Sequence, residues 1–337
     1  MTSAARQKVR FGFSLPNRAV VFGLPVEVLL QAAERAEAGG LFDSVWVGDN
    51  FLFTPRLESI VLLSALAART RRVRLGTICL ATFPLRNPLE LAIQWASLDL
   101  LSGGRTVLAV CIGHGERDGP RAAAELAAFG VPSGERVTRM VEGIDLLRRF
   151  WGPGPVTFEG RCYRYESVEA LPKPAQARVP IVIAGLATPG LAPEVEERAL
   201  RRTARLSDGW QTSGIRLELF RERWARIREY AAEYGRADQV TESSLHMLVN
   251  INDDAERAYG ESVEFLAHYY GEGAVSRERL EEWLAYGPPE RVIARIGQWL
   301  EAGLTTPVLR FTSLDQLGQL ERCMQEVLPA LEGAVVG

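Results

Sequence analysis

Histidine, cysteine and methionine are scarce in this chain of 337 residues, which holds only three, four and four of them. His114, His246 and His268 form no HxH or HExxH spacing, which excludes a metal site built on imidazoles. Cys79, Cys111, Cys162 and Cys323 form no CxxC pair, so neither a disulfide framework nor a zinc site is expected. The first two lie in apolar, strand-like runs, where a buried thiol is the default. No run approaches the roughly 18 apolar residues that span a bilayer, and the opening "MTSAARQKVRFGF" has no apolar leader core. A soluble, cytoplasmic protein with no membrane partner is expected. An excess of one charge is also missing: 39 Lys and Arg face 42 Asp and Glu, for a net charge of −3. The two signs are intermixed along the chain, which excludes a nucleic-acid partner. No Gly-x-Gly-x-x-Gly turn follows the first strand, and there is no Walker loop and no Gly-x-Ser-x-Gly elbow. The usual nucleotide motifs of open sheets and a serine nucleophile are therefore absent.

What is present is a repeating order of strand and helix. Strand-like runs at 9–15, 43–48, 73–80 and 105–113 alternate with helical patterns from 25, at 57–69, at 88–101 and at 134–150. In the first helix Val26, Leu29, Leu30, Ala33 and Ala36 fall on one face, and Gly39-Gly40 supplies a left-handed stop. Residues 114–133 read as a long loop. An insert at about 153–170 alternates around Glu159-Gly160 and reads as a hairpin. Four further strands are expected at 181–184, 209–212, 245–251 and 307–311, each followed by an amphipathic segment. Strands that alternate with helices pair in parallel, because only a crossover returns the chain to the same end of the sheet. About eight repeats in 337 residues favour a closed (β/α)8 TIM barrel in a single domain over an open doubly wound sheet. Residues 268–287, with glycines flanking a charged amphipathic stretch, are a candidate lid.

In such a barrel ligands bind on loops at the carboxyl ends of the strands. Those ends read Gly48-Asp49-Asn50-Phe51, Thr77 to Ala81, Gly113-His114-Gly115-Glu116, Ala184 to Thr188, and Trp210 to Gly214. They offer backbone amides, hydroxyls, a few carboxylates and aromatic surface. That set suits a large, planar, phosphorylated cofactor that carries the hard chemistry itself.

The run "LAARTRRVRLGTICLATFPLRNPLELAIQWASLDLLSGGRTVLAVCIG", preceded by "AERAEAGGLFDSVWVGDN", resembles the bacterial luciferase-like monooxygenase superfamily. "GVPSGERVTRMVEGIDLLRRFWGPGPVTFEGRCYRY", "LPKPAQARVPIVIAG", "LSDGWQ" and "GPPERVIARIGQWLEAGL" follow in the same order, so the resemblance covers most of the chain. It implies a luciferase-like TIM barrel that binds reduced FMN to activate oxygen, or the deazaflavin coenzyme of the dehydrogenase branch. It also implies a ring seat against Thr77, Ile78 and Cys79, where members often have a non-proline cis peptide, and against Gly113, His114, Gly115 and Glu116. The phosphate end would meet the amides of Ala184, Gly185 and Leu186, and Ser14 and Trp210 complete the cofactor set. Gly113 and Gly115 would let backbone approach a flat ring.

The sequence departs from the resemblance at one place. Many members carry Asp-His after the second strand, where this chain has Asp49-Asn50, and an amide does not titrate near neutral pH. Glu116 and His114 are therefore expected to handle protons, with Asn50 and Asp49 contacting substrate or peroxide; His246 and His268 read as structural. The first expectation is a monooxygenase that takes reduced FMN from a separate flavin reductase and adds one oxygen atom of O2 to a small organic substrate. The alternatives are hydride transfer by the deazaflavin without oxygen, and a flavin-binding protein without turnover. A homodimer through the apolar residues at 57–66 is expected, and no metal.

Overall fold

The computed structural model describes residues 7–187, 189–273 and 276–336. Eight parallel strands follow one another round a ring: β1 Gly12–Leu15, β2 Ser44–Val47, β3 Arg74–Thr77, β4 Thr106–Val110, β5 Ile181–Ala184, β6 Gly209–Ser213, β7 Glu242–Ile251 and β8 Thr306–Phe311. β8 pairs back to β1, and β7 pairs with both β6 and β8, so the sheet closes. Closure leaves none of the eight with an open edge, which an eight-stranded parallel sheet would otherwise expose at both ends.

Around the ring lie α1 Val26–Gly39, α2 Ser59–Arg69, α3 Pro88–Ser102, α4 Pro120–Ala128, α5 Arg136–Trp151, α6 Pro193–Leu206, α7 Leu217–Glu233, α8 Ala255–Tyr270, α9 Arg277–Trp283, α10 Pro289–Glu301 and α11 Gln316–Arg322. Their limits follow local chemistry. The Asn87 side chain accepts from the amides of Leu89 and Glu90 ahead of Pro88, and α3 stops on left-handed Gly103. Strand side chains pointing outward pack on the helices in one large core that includes Leu29, Leu63, Trp95, Leu147, Ile227 and Ile296.

The inward side chains form a smaller cluster of Trp46, Val107, Ala109, Val182 and Val308, with Ile78 and Cys79 against it. Trp46 determines its neighbours. In register beside it on β3 is Gly76, and on β1 Gly12, in register with Ser44, lies under the same indole. A Cβ at those positions would lie 2.5 Å and 2.6 Å from the indole. One large side chain thus fills space that three would otherwise share, and its Nε1 donates to Ser44 Oγ at 2.8 Å.

Two expectations are corrected. Residues 120–128, read as part of a loop, form α4; its alanine-rich turns carry too few large apolar residues for a visible stripe. Residues 284–287, read as part of a lid, are the strand Leu284–Gly287, which pairs in parallel with β7 where that strand runs past β6. Four residues between two helices give too short a run to show alternation. In the run 57–66, Ile60, Leu62, Leu63 and Leu66 are buried in the core of this chain, while Val61 (70%) and Ala65 are exposed. The insert is an antiparallel pair of Val156–Glu159 with Arg164–Val168. No helix among the described residues is long and apolar enough to cross a membrane.

Candidate active site

A cavity of about 700 Å³ opens at the carboxyl ends of the strands, with walls from the loops after β2, β3 and β4 on one side and from β6, β7, β8 and α9 on the other. A second cavity of about 380 Å³ lies between the ends of β4, β5 and β6 and helix α6. Asp49, Asn50, Ile78, Cys79, Gly113 and His114 line the first, and Ala184, Gly185, Leu186 and Trp210 line the second. Thr188 lies outside the described residues.

Asp49 is almost wholly engaged. One oxygen accepts from Ser59 Oγ (2.8 Å) and Arg86 (3.2 Å), the other from the amide and hydroxyl of Thr82 (2.8 and 2.6 Å). It ties the β2 end to α2 and to the loop after β3. Asn50 donates to the Asp49 carbonyl, while its Oδ1 is buried without a partner at the cavity wall. The neighbouring loop is held from α4: one oxygen of buried Glu125 accepts from the amides of Phe51, Leu52 and Phe53.

The Ile78–Cys79 peptide is cis. Cys79 and Cys111 line the floor with their sulfurs 2.7 Å apart. That contact, added to burial, pushes the Cys79 thiol well above its ordinary value. His114 stacks on Phe53 with ring centroids 3.8 Å apart. Burial lowers its pKa, although Asp118 lies 3.8 Å from Nδ1.

The structure places several of the expected site residues outside the cavity wall or already engaged with other groups. Gly113 has φ 62°, and a Cβ there would lie 2.3 Å from the Ala81 carbonyl oxygen. A Cβ on Gly115 would meet the Arg136 guanidinium. The protein's own packing thus requires both glycines, while Gly113 also lines the cavity. Glu116 is exposed in a short 3-10 turn, outside the cavity wall, because its neighbour Asp118 turns back to accept from the Gly115 amide. Thr77 is buried and exchanges hydrogen bonds with Ala109 across β3 and β4. Ser14 lies behind the wall, accepting from Arg310. The Gly185 amide is already donated to the Gln211 carbonyl, so it does not face an anion. Trp210 donates to the Gly185 carbonyl and stacks on Phe220 in the core behind the second cavity.

The wall opposite Asn50 holds groups that sequence reasoning missed. His246, on the inward face of β7, is 6% exposed, and its Nε2 has no partner. Burial, reinforced by the charges of Arg310 and Arg56, holds it well below the ordinary histidine value, so it is neutral at pH 7. Arg310, 2% exposed on β8, bonds only neutral groups among those described, Ser14 Oγ and the Leu15 carbonyl, and its guanidinium lies 5.0 Å from the Tyr269 ring centroid. Arg56 is held by Thr54, and Tyr270, Trp283 and Arg279 complete this wall. For Tyr269, burial pushes the phenol up, but the charges of Arg310 and Arg56 outweigh it and its pKa is lowered. An arginine within the apolar run "PVLRF" was a legible signal, since a buried barrel strand seldom holds an unpaired charge.

A profile of the luciferase-like monooxygenases matches residues 9–306 of this chain, inside the same barrel that carries the two cavities. The chain belongs to that family. A curated relative of this luciferase-like protein, the F420-dependent glucose-6-phosphate dehydrogenase of Amycolatopsis mediterranei (strain U-32), is 30% identical over 329 residues, covering 90% of this chain and 94% of its own. Among solved structures, an F420-dependent secondary alcohol dehydrogenase in complex with an F420-acetone adduct superposes with TM-score 0.79 at 21% identity, covering 97% of this chain and 100% of that one. A monooxygenase from Streptomyces bottropensis reaches TM-score 0.76 at 23% identity, covering 95% and 99%. Likeness at that level establishes the fold. The protein is an enzyme of the luciferase-like oxidoreductases.

Proposed function

We propose that this enzyme moves a hydride between the deazaflavin coenzyme F420 and a small alcohol or carbonyl substrate. The observation that carries the reading is the match, over 90% of the chain, to curated relatives that are F420-dependent. The expectation of reduced FMN with O2 gives way to it, and a separate flavin reductase is then not required. The residues present fit such a coenzyme. The large cavity offers a floor of Ile78, Cys79 and Gly113. The second offers Arg198 and Arg202 to an anionic tail, and the Arg202 Nε is buried without a partner. For Arg202, burial and then the neighbouring charges of Arg198 and Arg205 lower the pKa, and no acid offsets them.

When bound, the deazaflavin supplies two-electron hydride chemistry and does not activate oxygen. The chain's own part is to hold substrate and move one proton. Asn50 Oδ1 and His246 Nε2, both buried and unpartnered on facing walls, are the polar atoms available to a substrate hydroxyl. His246, neutral, takes the proton of an alcohol; Asn50 orients the hydroxyl. His114 is a second proton acceptor at the rim. Glu116 stands outside this scheme, and Asp49 positions the loop that carries Asn50. Arg310 and Arg56 face the cavity without a carboxylate, while the acids lining it, Asp49 and Asp118, are already engaged. A buried unpaired guanidinium is costly, so a substrate carrying a carboxylate or phosphate is favoured.

Fluorescence titration of the purified protein with F420, FMN and reduced FMN tests the reading. Saturable binding of F420 with no comparable response to either flavin supports it. Tight binding of reduced FMN with none of F420 would overturn it.

A further inference from the structure

The two cysteines of the cavity floor differ from the other two. Cys79 follows β3 and Cys111 follows β4, neighbouring strands whose pairing is carried onward by the bridge from Leu80 to Val110. The strand ends thus deliver both thiols to the same floor, half-buried and in contact at 2.7 Å, about 0.7 Å more than the ~2.05 Å of a disulfide bond. Both line the large cavity, so an oxidant small enough to enter it reaches them. Cys323 is fully buried, and Cys162 lies in the turn of the hairpin near Glu135 and Glu142. Among the described residues, Cys79 and Cys111 are the thiols in contact with each other.

We propose that Cys79 and Cys111 are a redox-active dithiol in the floor of the active-site cavity, converted to a disulfide by a small peroxide. The Cys111 sulfur, which accepts from the Cys79 thiol, attacks a peroxide oxygen as thiolate, breaking the O–O bond and leaving a sulfenic acid and hydroxide. The Cys79 thiol then attacks the sulfenic sulfur, forming the S–S bond, while its proton passes to the departing oxygen, which leaves as water. In sum two S–H bonds and one O–O bond break, one S–S and two O–H bonds form, two electrons pass from the sulfurs to the peroxide, and hydrogen peroxide leaves as two waters. A dithiol reductant reverses the step through a mixed disulfide. In a reducing compartment such a bond is transient, which suits a sensor more than a structural staple. The crosslink ties the loop after β3 to the loop after β4 directly beneath the space assigned to the coenzyme. Its effect on the coenzyme rests on the function proposed above; its formation does not.

The test is intact-mass analysis of the full chain after dilute hydrogen peroxide, followed by blocking of free thiols with N-ethylmaleimide and peptide mapping. Loss of two hydrogen masses, a crosslinked peptide pair carrying Cys79 and Cys111, reversal by dithiothreitol, and persistence of the loss in Cys162→Ser support the proposal. Its disappearance in both Cys79→Ser and Cys111→Ser, each checked for an unchanged melting temperature, completes the assignment. Alkylation of Cys79 and Cys111 as separate thiols after oxidation, or gain of oxygen in place of hydrogen loss, would overturn it. F420 titration of the oxidised and reduced forms is expected to show at least a fivefold difference in affinity. Equal affinities would remove the consequence for the coenzyme while the mass result still decides the dithiol.

Discussion

His246 shows how much one residue's surroundings matter. Its depressed pKa means that the unfolded chain, with an imidazole near the ordinary value of about 6.5, takes up a proton that the folded state refuses. Stability is therefore full above pH 6.5 and falls as the pH drops from there toward the folded value, by up to ~1.4 kcal/mol per pH unit. Urea denaturation at pH 7.5, 6.5 and 5.5 should show this loss, and His246→Gln should flatten it. Identical slopes for the two proteins would remove the assignment. Burial lowers His114 as well, so it acts in the same direction. At Gly76 the limit is steric, because a methyl group there would lie 2.5 Å from the Trp46 ring carbons. Gly76→Ala should cost about 1–3 kcal/mol, read as a lower urea midpoint. An unchanged midpoint would mean that the indole is free to shift.

At the scale of elements, α4 acts on a loop it does not belong to. Its Glu125, buried and 72 to 74 residues away in sequence, gathers the three amides of Phe51, Leu52 and Phe53 on one oxygen. The same loop carries Phe53, Thr54 and Arg56 into the cavity wall. Glu125→Ala leaves three donors to find water, at a cost of about 2–3 kcal/mol in all. Faster hydrogen exchange at residues 51–53, with the barrel strands still protected, is the expected readout; unchanged exchange there would show that the loop holds its shape alone. The strand Leu284–Gly287 has a comparable role on the opposite side. It extends β7, and just before it Trp283 donates to the His246 carbonyl at 2.6 Å. The Trp283 wall and the proposed base are therefore joined through one stretch of backbone.

At the scale of the molecule, a chain of net charge −3 places four arginines, Arg56, Arg121, Arg279 and Arg310, around one cavity. A positive concavity within an acidic protein concentrates anionic ligands without making the whole surface sticky. Coenzyme binding should appear as stability by mass action: F420 at 100 times its dissociation constant raises the unfolding free energy by about 2.7 kcal/mol. Thermal melts with F420, and with FMN at the same concentration, check this, and only F420 is expected to raise the midpoint. Turnover, once a substrate is found, should be equal in air and under nitrogen; dependence on oxygen would restore the monooxygenase reading.

The sequence by itself determined the succession of strands and helices, because the signals for it are local: apolar periodicity, Asn87 ahead of Pro88, Gly103 after α3. It also located the rim at Asp49, Asn50, Gly113 and His114, since these follow directly on apolar strands. Only the tertiary structure decided which of those residues face inward, because that depends on register round a closed ring. Glu116 turned outward on the hydrogen bond of its neighbour, and His246 and Arg310 turned inward on strands whose polar residues had no local meaning. Ser14 and Arg310 touch across 296 residues of chain, and no pattern along the sequence records a contact made by closing the barrel.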